Sequence, residues 1–245
     1  MRLSKAWIVA AKDLTIFTRK RTVSRSVVLY PLLISIGLPL VVNFAGTRQG
    51  RIPATVWPTL IDAFSFFFVI IAAYLPTAIA AYSLIGEKVE KSLEPLLATP
   101  TTDRELLLGK SIAGFIPPVA AIYISATIFM ALIDALTRST LGYLYFPNWT
   151  MVVILLVVVP LAAIMSIEGN VIISARASDV RSAQLQGSLI VLPLGALYVA
   201  SEVGAVTLTV PHLFIIAAVV LVIDVILFSI STKTFQREEI LTKWS

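Results

Sequence analysis

The chain lacks cysteine and has a single histidine, His212, among its 245 residues. Without cysteine it can form neither disulfides nor thiolate metal sites. Charged residues make up 13% of the sequence, against roughly a quarter in soluble domains. The motifs H-E-x-x-H and G-x-S-x-G, a paired-aspartate motif and the phosphate-binding loop G-x-x-x-x-G-K-[ST] are all missing. These absences argue against an intramembrane enzyme and against ATP binding through such a loop, and we expect no metal or cofactor in this chain.

Apolar residues, by contrast, make up 58% of the chain, and the mean hydropathy is +0.93. A helix that crosses a bilayer core of about 30 Å needs about 20 such residues. Six stretches qualify: Ser26–Ala45, Ala63–Ile85, Ser111–Leu136, Met151–Ala175, Gln184–Ser201 and Pro211–Thr232. Each is expected to be helical, because lipid offers the backbone no hydrogen-bond partner. The sequence therefore predicts an all-α membrane protein whose six-span domain covers residues 26–232.

Lysine and arginine are distributed unevenly between the segments that connect these spans. Sixteen of the 19 lie before the first span, in residues 86–110, between spans four and five, or after span six. The other three are Arg48, Arg51 and Arg138. Basic residues stay on the cytoplasmic side, so both termini, including a tail over 233–245, are predicted to be cytoplasmic, in the plasma membrane. This bias also explains the net charge of +5 without a nucleic-acid partner.

Residues 1–25 have a different pattern from the spans. Apolar side chains recur there at helical spacing, at Leu3, Trp7, Ala10, Leu14 and Phe17. Basic residues lie between them, which predicts an amphipathic helix in the cytoplasmic membrane interface. Trp7 would lie at headgroup level, and Arg19–Arg21 would meet anionic lipid. A positive-inside retention signal is the plainer interpretation, and the two are compatible.

The segment GEKVEKSLEPLLATPTTDRELLLGK, residues 86–110, has nine charged side chains although apolar runs flank it on both sides. Val89, Leu93, Leu96 and Leu97 fall on one face of a helix. This leucine face could lie on headgroups, pack on its own bundle or fit a groove in a partner protein. Headgroup binding would favour basic residues, whereas acids outnumber bases here by five to four. A protein groove is therefore the favoured interpretation.

Two signals mark a turn within this segment. Pro100 ends the first helix, because the residue before a proline avoids helical geometry. Thr102 and Glu105 have the spacing of a capping box, which predicts that a second helix starts here and leads into span three. The segment is thus predicted to be a helix–turn–helix on the cytoplasmic side.

Residues 86–110 resemble the signature cytoplasmic loop of ABC-2 type transporter permeases. The shared features are a Gly-Glu start, a Leu-Glu-x-Leu-Leu core, Thr-Pro, and an acidic-leucine run that closes with Gly-Lys. A second match, NVIISARASDVRSAQLQGSLIVLPL at Asn170–Leu194, resembles the family's passage from span four into a proline-bearing span five. A weaker third match is FQREEIL at Phe235–Leu241. The resemblance extends over essentially the whole chain.

This resemblance implies the membrane subunit of an ATP-binding cassette exporter. Such permeases work as dimers, here of two identical or related chains, with two ATPase subunits that bind ATP and magnesium. The loop between spans two and three would carry the coupling helix that docks on the ATPase. Carried onto this chain, the coupling residues are Glu87, Leu93, Glu94, Leu96, Leu97, Pro100, Arg104 and Glu105.

Three acidic residues lie within the predicted spans: Asp134, Glu168 and Asp224. A carboxylate near mid-membrane costs about 2.5–3.5 kcal/mol, so such residues usually face a bundle interior. Asp134 is expected at the outer boundary, where it needs no function. Glu168 is expected to lie roughly 10 Å inside the cytoplasmic end of span four, and Asp224 lies nearest the centre of its span. For Asp224, structural pairing and a role in transport both remain open.

Two other classes of function fit part of the pattern. An ion-coupled secondary transporter would show internal repeats and interrupted helices around charged residues, whereas the two halves of this chain share no clear similarity. A membrane scaffold would use the segment 86–110 only to hold its partner. His212 is expected to be an interfacial side chain and not a catalytic base.

Overall fold

The computed structural model of the chain describes residues 3–47, 55–81, 102–174, 177 and 179–234. Over these residues the chain is all-helical and contains no strand. Its helices are α1 (Leu3–Arg19), α2 (Arg21–Thr47), α3 (Trp57–Ala81), α4 (Asp103–Leu141), α5 (Trp149–Val153), α6 (Val159–Ser174), α7 (Val180–Ser188), α8 (Leu192–Glu202) and α9 (Val210–Thr234).

Among the described residues, six helical stretches are long and apolar enough to cross a membrane. They are Arg21–Phe44, Trp57–Ala81, Arg104–Leu141, Trp149–Ser174, Val180–Glu202 and Val210–Thr232. Each coincides with one of the six predicted spans, so that prediction is confirmed, and the architecture indicates a multi-pass membrane protein. The fourth and fifth stretches are composite. A π-helical turn, Ile154–Val158, joins α5 to α6, and a 3-10 turn, Leu189–Val191, joins α7 to α8.

Helix α3 lies at the centre of the bundle. It is the most deeply buried of the six spans and packs on α4, α6, α7 and α8. Phe68 meets Phe129 of α4 edge to face, with ring centroids 5.4 Å apart. Phe67 meets Tyr198 of α8 in the same way, at 5.3 Å. Helix α2 packs mainly on α4, and α9 mainly on α6, which leaves much of α2, α8 and α9 at the periphery.

Helix α4 begins at the predicted capping box. The hydroxyl of Thr102 accepts from the backbone N–H of Glu105, and a Glu105 carboxylate oxygen accepts from the backbone N–H of Thr102. The helix then continues without a break for 39 residues to Leu141. It ends where Gly142 adopts a left-handed conformation (φ 76°), which glycine tolerates without strain. The helix thus starts at Asp103, eight residues before the predicted span.

The π-helical turn precedes a proline. In a π-helix the carbonyl of residue i accepts from the N–H of residue i+5, and Ile154 follows this rule by accepting from Val159. The next carbonyl, that of Leu155, would need an N–H from residue 160, which is a proline. The hydroxyl of Tyr123 on α4 donates to this carbonyl instead, at 2.9 Å. A side chain from a neighbouring helix therefore compensates for the missing backbone donor.

The two ends of the bundle differ in chemistry. We call them the Asn148 end, where α3 and α5 begin, and the Ser174 end, where α4 begins and α6 ends. At the Asn148 end the carboxylate of Asp62 accepts from the Tyr145 hydroxyl at 2.8 Å, the Asn148 amide at 3.0 Å and the Thr150 hydroxyl at 3.3 Å. This network ties the start of α3 to the start of α5.

A second carboxylate orders the loop at the same end. One oxygen of Asp134 accepts from the backbone N–H groups of Tyr145 and Phe146, at 2.8 and 3.0 Å. Asp134 lies seven residues before the end of α4, and its carboxylate fixes the loop that follows this helix. Its expected place at the outer boundary of the membrane stays a prediction. Burial, together with the nearby Asp62 carboxylate, raises the pKa of the Tyr145 phenol above its ordinary value. Tyr145 therefore stays a neutral donor to Asp62 throughout the physiological range.

Candidate functional site

Six of the eight predicted coupling residues lie outside the part of the chain that the structure describes. Glu87, Leu93, Glu94, Leu96, Leu97 and Pro100 lie outside the described residues. Arg104 and Glu105 are described, and both lie in the first turn of α4 at the Ser174 end.

Arg104 and Glu105 have different environments. Glu105 is buried, and its carboxylate is engaged in the capping box with Thr102. It therefore acts on the start of α4 from within the fold. Arg104 is exposed and lies at the edge of a cavity. Of the two, only Arg104 presents its charge to the surroundings of this chain.

The first helix is held against the start of α4. Ala6, Val9 and Ala10 of α1 are buried, and Gly109 of α4 faces them so closely that a Cβ there would come within 2.6 Å of the Ala6 carbonyl oxygen. The next residue of α4 adds an ion pair: the ammonium of Lys110 lies 3.4 Å from the carboxylate of Asp13, and both side chains are buried. The last two residues of the segment 86–110 are thus packed on α1 and ion-paired to it.

A cavity of about 700 Å³ opens at the Ser174 end. It lies between α4, α6 and α9. Helices α4 and α9 both pack on α6, so α6 forms its floor. The lining is mainly apolar, as at Phe115, Ile164 and Phe228, with a few polar groups at Arg104, Ser111 and Glu168. Its size falls within the roughly 300–1,000 Å³ that is usual for small-molecule sites.

The structure brings together the two intramembrane acids, Glu168 and Asp224. Glu168 lines the cavity on α6, and Asp224 lies on the buried face of α9 with only 5% of its surface exposed. The helices that carry these two residues, α6 and α9, pack on each other. One oxygen of Glu168 and both oxygens of Asp224 are buried without a hydrogen-bond partner among the described residues. The structural pairing that was open for Asp224 is therefore not with a described basic residue.

Sequence reasoning missed a polar row on the other face of α6. Ser166, Asn170 and Ser174 are all buried and recur every fourth residue, so they lie along one face. Gly187 of α7 packs directly on Asn170, where a Cβ would come within 2.5 Å of the amide oxygen. The spacing of these three polar residues, in a helix whose one other polar side chain is Glu168, was the available signal. The row marks the contact of α6 with α7.

Comparison with known proteins leaves the geometry as the main guide to function. No protein-family model matches the chain, and no curated protein is significantly similar to it. Among the described residues no group of three or more His, Asp or Glu side chains could hold a metal ion. What the described arrangement offers is two carboxyl groups on adjoining helices beside an apolar cavity, which is suited to holding a positively charged group.

Proposed function

We propose that this chain is the membrane-spanning permease subunit of an ABC-2 type ATP-binding cassette exporter. It would lie in the plasma membrane as a dimer with an identical or related chain. Both termini and the segment 86–110 would be cytoplasmic, and two copies of a separate ATPase subunit would bind ATP and magnesium. The chain itself would be a transport subunit and not an enzyme.

The observation that carries the proposal is the segment 86–110 itself. Its nine charged residues interrupt a chain that is 58% apolar, and its leucines fall on one helical face. Such a face in an aqueous compartment needs a partner surface. The resemblance to the coupling loop of ABC-2 permeases indicates what that partner surface would be, namely a groove in an ATPase subunit.

The helix that begins within the segment supports a mechanical role. Helix α4 starts at Asp103, inside the segment 86–110, and continues for 39 residues to Leu141, a length of roughly 58 Å at 1.5 Å per residue. A displacement of the segment would therefore be carried across the membrane by one continuous helix. The ion pair between Lys110 and Asp13 couples α1 to the same movement.

The faces of α1 support an interfacial position for this helix. One face, with Ala6, Val9 and Ala10, is buried within the chain. The other exposes large apolar side chains, Leu3 and Trp7 among them. A helix that packs on the bundle with one side and offers tryptophan and leucine with the other is suited to the headgroup region. Its basic residues would then meet anionic lipid.

The proposal is tested by association with an ATPase. The chain is co-expressed with a candidate ATP-binding cassette ATPase and purified through a tag on the permease. Leu93→Asp and Leu97→Asp, each placing a charge on the leucine face, should each abolish co-purification and ATP-dependent flux. Leu144→Asp is the matched control, because Leu144 is an exposed leucine in the loop at the Asn148 end. Undiminished association of both leucine-face variants would refute docking through this segment.

The same preparation separates the two alternatives. A scaffold would keep its partner, but the complex would show no ATP-dependent flux in reconstituted vesicles. An ion-coupled secondary transporter would move cargo down a proton or sodium gradient in vesicles that contain the permease alone. Flux that requires both the ATPase and ATP, and that is lost in Leu93→Asp, supports the exporter.

A further inference from the structure

We propose that the cavity between α4, α6 and α9 binds a lipophilic monovalent cation, a molecule with one positive charge on an apolar body. Glu168 would provide the counter-charge, with Asp224 beside it. The binding needs no ATPase. Only the identification of this ligand as cargo rests on the function proposed above.

The size and the lining of the cavity indicate how large and how apolar the ligand would be. A volume of about 700 Å³ accommodates a molecule of drug size. Most of the surface it would meet is hydrocarbon or aromatic, for example Phe115, Ile164 and Phe228. Burial against such walls favours a ligand that is itself largely apolar.

The carboxyl pair sets the charge of the ligand. Glu168 lines the cavity and has a buried oxygen without a hydrogen-bond partner among the described residues. Asp224 adds two more such oxygens on α9, the helix that packs on α6. Two carboxyl groups in a low-dielectric site repel each other when both are ionised. A single positive charge in the cavity would relieve that repulsion, whereas an anion would add to it.

A small metal ion does not fit the same site. Calcium needs six to eight oxygen ligands, and magnesium needs near-octahedral geometry. Within the part of the chain that the structure describes, no cluster of three or more His, Asp or Glu residues exists. Besides Glu168, the side-chain oxygens in the lining are the hydroxyl groups of Ser111, Ser231 and Thr232, which are too few to complete such a shell. A bulky organic cation, which needs no coordination shell, matches the walls better.

Arg104 is the described basic residue at the cavity, and its position does not neutralise the acids. It lies in the first turn of α4 and is exposed, so solvent screens its charge. Glu168 lies six residues before the end of α6, roughly 9 Å deeper by helical rise. Arg104 forms no ion pair with Glu168 among the contacts of the described residues. The positive charge of Arg104 is therefore at the exposed edge of the cavity, and the carboxyl group of Glu168 lies deeper inside.

The rim indicates how such a ligand enters. Ile116 and Phe228 line the cavity and are also exposed, 38% and 56% respectively. Both belong to membrane-spanning helices, so this part of the rim faces the hydrocarbon region. A lipophilic cation that has partitioned into the bilayer can reach Glu168 sideways between α4 and α9.

The test uses two probe ions of nearly the same shape and opposite charge, tetraphenylphosphonium and tetraphenylborate. Their binding to the purified permease alone, in a non-ionic detergent, is measured by equilibrium dialysis. Tetraphenylphosphonium should bind with an affinity about tenfold or more above that of tetraphenylborate. Equal affinities for the two ions would overturn the proposal, and because no ATPase is present this outcome leaves the proposed coupling untouched.

Three variants localise the binding. Glu168→Gln should weaken tetraphenylphosphonium binding by about tenfold or more and leave tetraphenylborate binding unchanged or stronger. Glu202→Gln is the matched control, since this half-buried glutamate lies at the far end of α8. Ile164→Trp should fill the cavity and abolish specific binding of the cation. Cation binding that persists in both Glu168→Gln and Ile164→Trp would place the site elsewhere and refute the assignment.

The comparison of the two ions on the wild-type protein keeps the proposal testable even if a variant fails to fold. Each variant is first examined by size-exclusion chromatography and thermal unfolding. If Glu168→Gln aggregates, Asp224→Asn and the wild-type comparison of the two ions carry the test. A wild-type protein that binds both ions weakly and equally refutes the proposal without any variant.

Discussion

The ammonium of Lys110 lies 3.4 Å from the carboxylate of Asp13, and the two residues, 97 positions apart in the chain, are both buried. This pair joins α1 to α4 at the last residue of the segment 86–110. Gly109, next to Lys110, allows the two helix backbones to approach closely. The contact is therefore both an ion pair and a close packing of helices, and it connects the charged segment to the N-terminal helix.

Removing one member of this pair should destabilise the protein. Asp13→Asn leaves the buried ammonium of Lys110 without this carboxylate, and the expected cost is about 3–5 kcal/mol of unfolding free energy. Replacing both by apolar residues, as in Asp13→Leu with Lys110→Met, should recover most of that loss. Unfolding in mixed micelles measures both effects. Arg138→Met, which changes an exposed residue at the other end of α4, should have little effect.

The hydrogen bond from Tyr123 to Leu155 should be needed only because residue 160 is proline. Tyr123→Phe leaves the Leu155 carbonyl without its donor, at a cost of about 1–3 kcal/mol. Pro160→Ala supplies a backbone N–H at residue 160, so adding Tyr123→Phe to that background should cost clearly less. Tyr30→Phe, at an exposed tyrosine of α2, is the control. Equal costs in the two backgrounds would contradict this account of the π-helical turn.

The carboxylate of Asp134 should protect the backbone of the loop that follows α4. Asp134→Ala removes the acceptor for the N–H groups of Tyr145 and Phe146. Hydrogen exchange at these two amides should accelerate about tenfold or more, since each loses a bond worth about 1–3 kcal/mol. Asp134→Asn keeps an oxygen at the same place and should show a smaller change. Unaltered exchange in Asp134→Ala would mean that other contacts order the loop.

Two glycines of the fifth span should respond in opposite ways to alanine. Gly187→Ala would place a methyl group 2.5 Å from the amide oxygen of the buried Asn170, and we expect a loss of about 1–3 kcal/mol from the overpacking. Gly195 has nothing within 4 Å of the corresponding position, so Gly195→Ala should be neutral or stabilising by up to about 1 kcal/mol. Thermal unfolding of the two variants measures the difference.

Asn170 provides the internal check for this pair. Asn170→Ser shortens the side chain that faces Gly187, so the double variant with Gly187→Ala should be less destabilised than the sum of the two single changes. If the losses of unfolding free energy in the two single variants simply add in the double variant, the added methyl group does not destabilise the protein through Asn170.

The proposed orientation of the chain in the membrane can be determined with single-cysteine variants, since the natural chain has no cysteine. Tyr143→Cys introduces a thiol in the exposed loop at the Asn148 end, and Thr18→Cys introduces one on the exposed side of α1. A membrane-impermeant maleimide added to intact cells should label Tyr143→Cys and leave Thr18→Cys unlabelled until the membrane is opened. The reverse pattern would invert the topology and remove the cytoplasmic placement of the segment 86–110.

Half of the candidate site could be identified from the sequence. A glutamate and an aspartate inside apolar runs are conspicuous by the cost of placing them there, which singles out Glu168 and Asp224. Nothing local indicates that the helices carrying the two acids pack together, because the acids are 56 residues apart and the packing of α9 on α6 is a tertiary contact. The cavity beside them arises from three helices and has no counterpart in any one stretch of sequence.

The six helices and the start of α4 follow from the sequence alone, because they depend on local physics. A run of apolar residues long enough for the bilayer must satisfy its own backbone by forming a helix, and Thr102 caps α4 through a residue three positions away. Tertiary structure decided the pairing of Lys110 with Asp13, the use of Tyr123 at the π-helical turn and the contact of Gly187 with Asn170. Each of these depends on which faces of separate helices meet, and that choice is made by side-chain packing over the whole bundle.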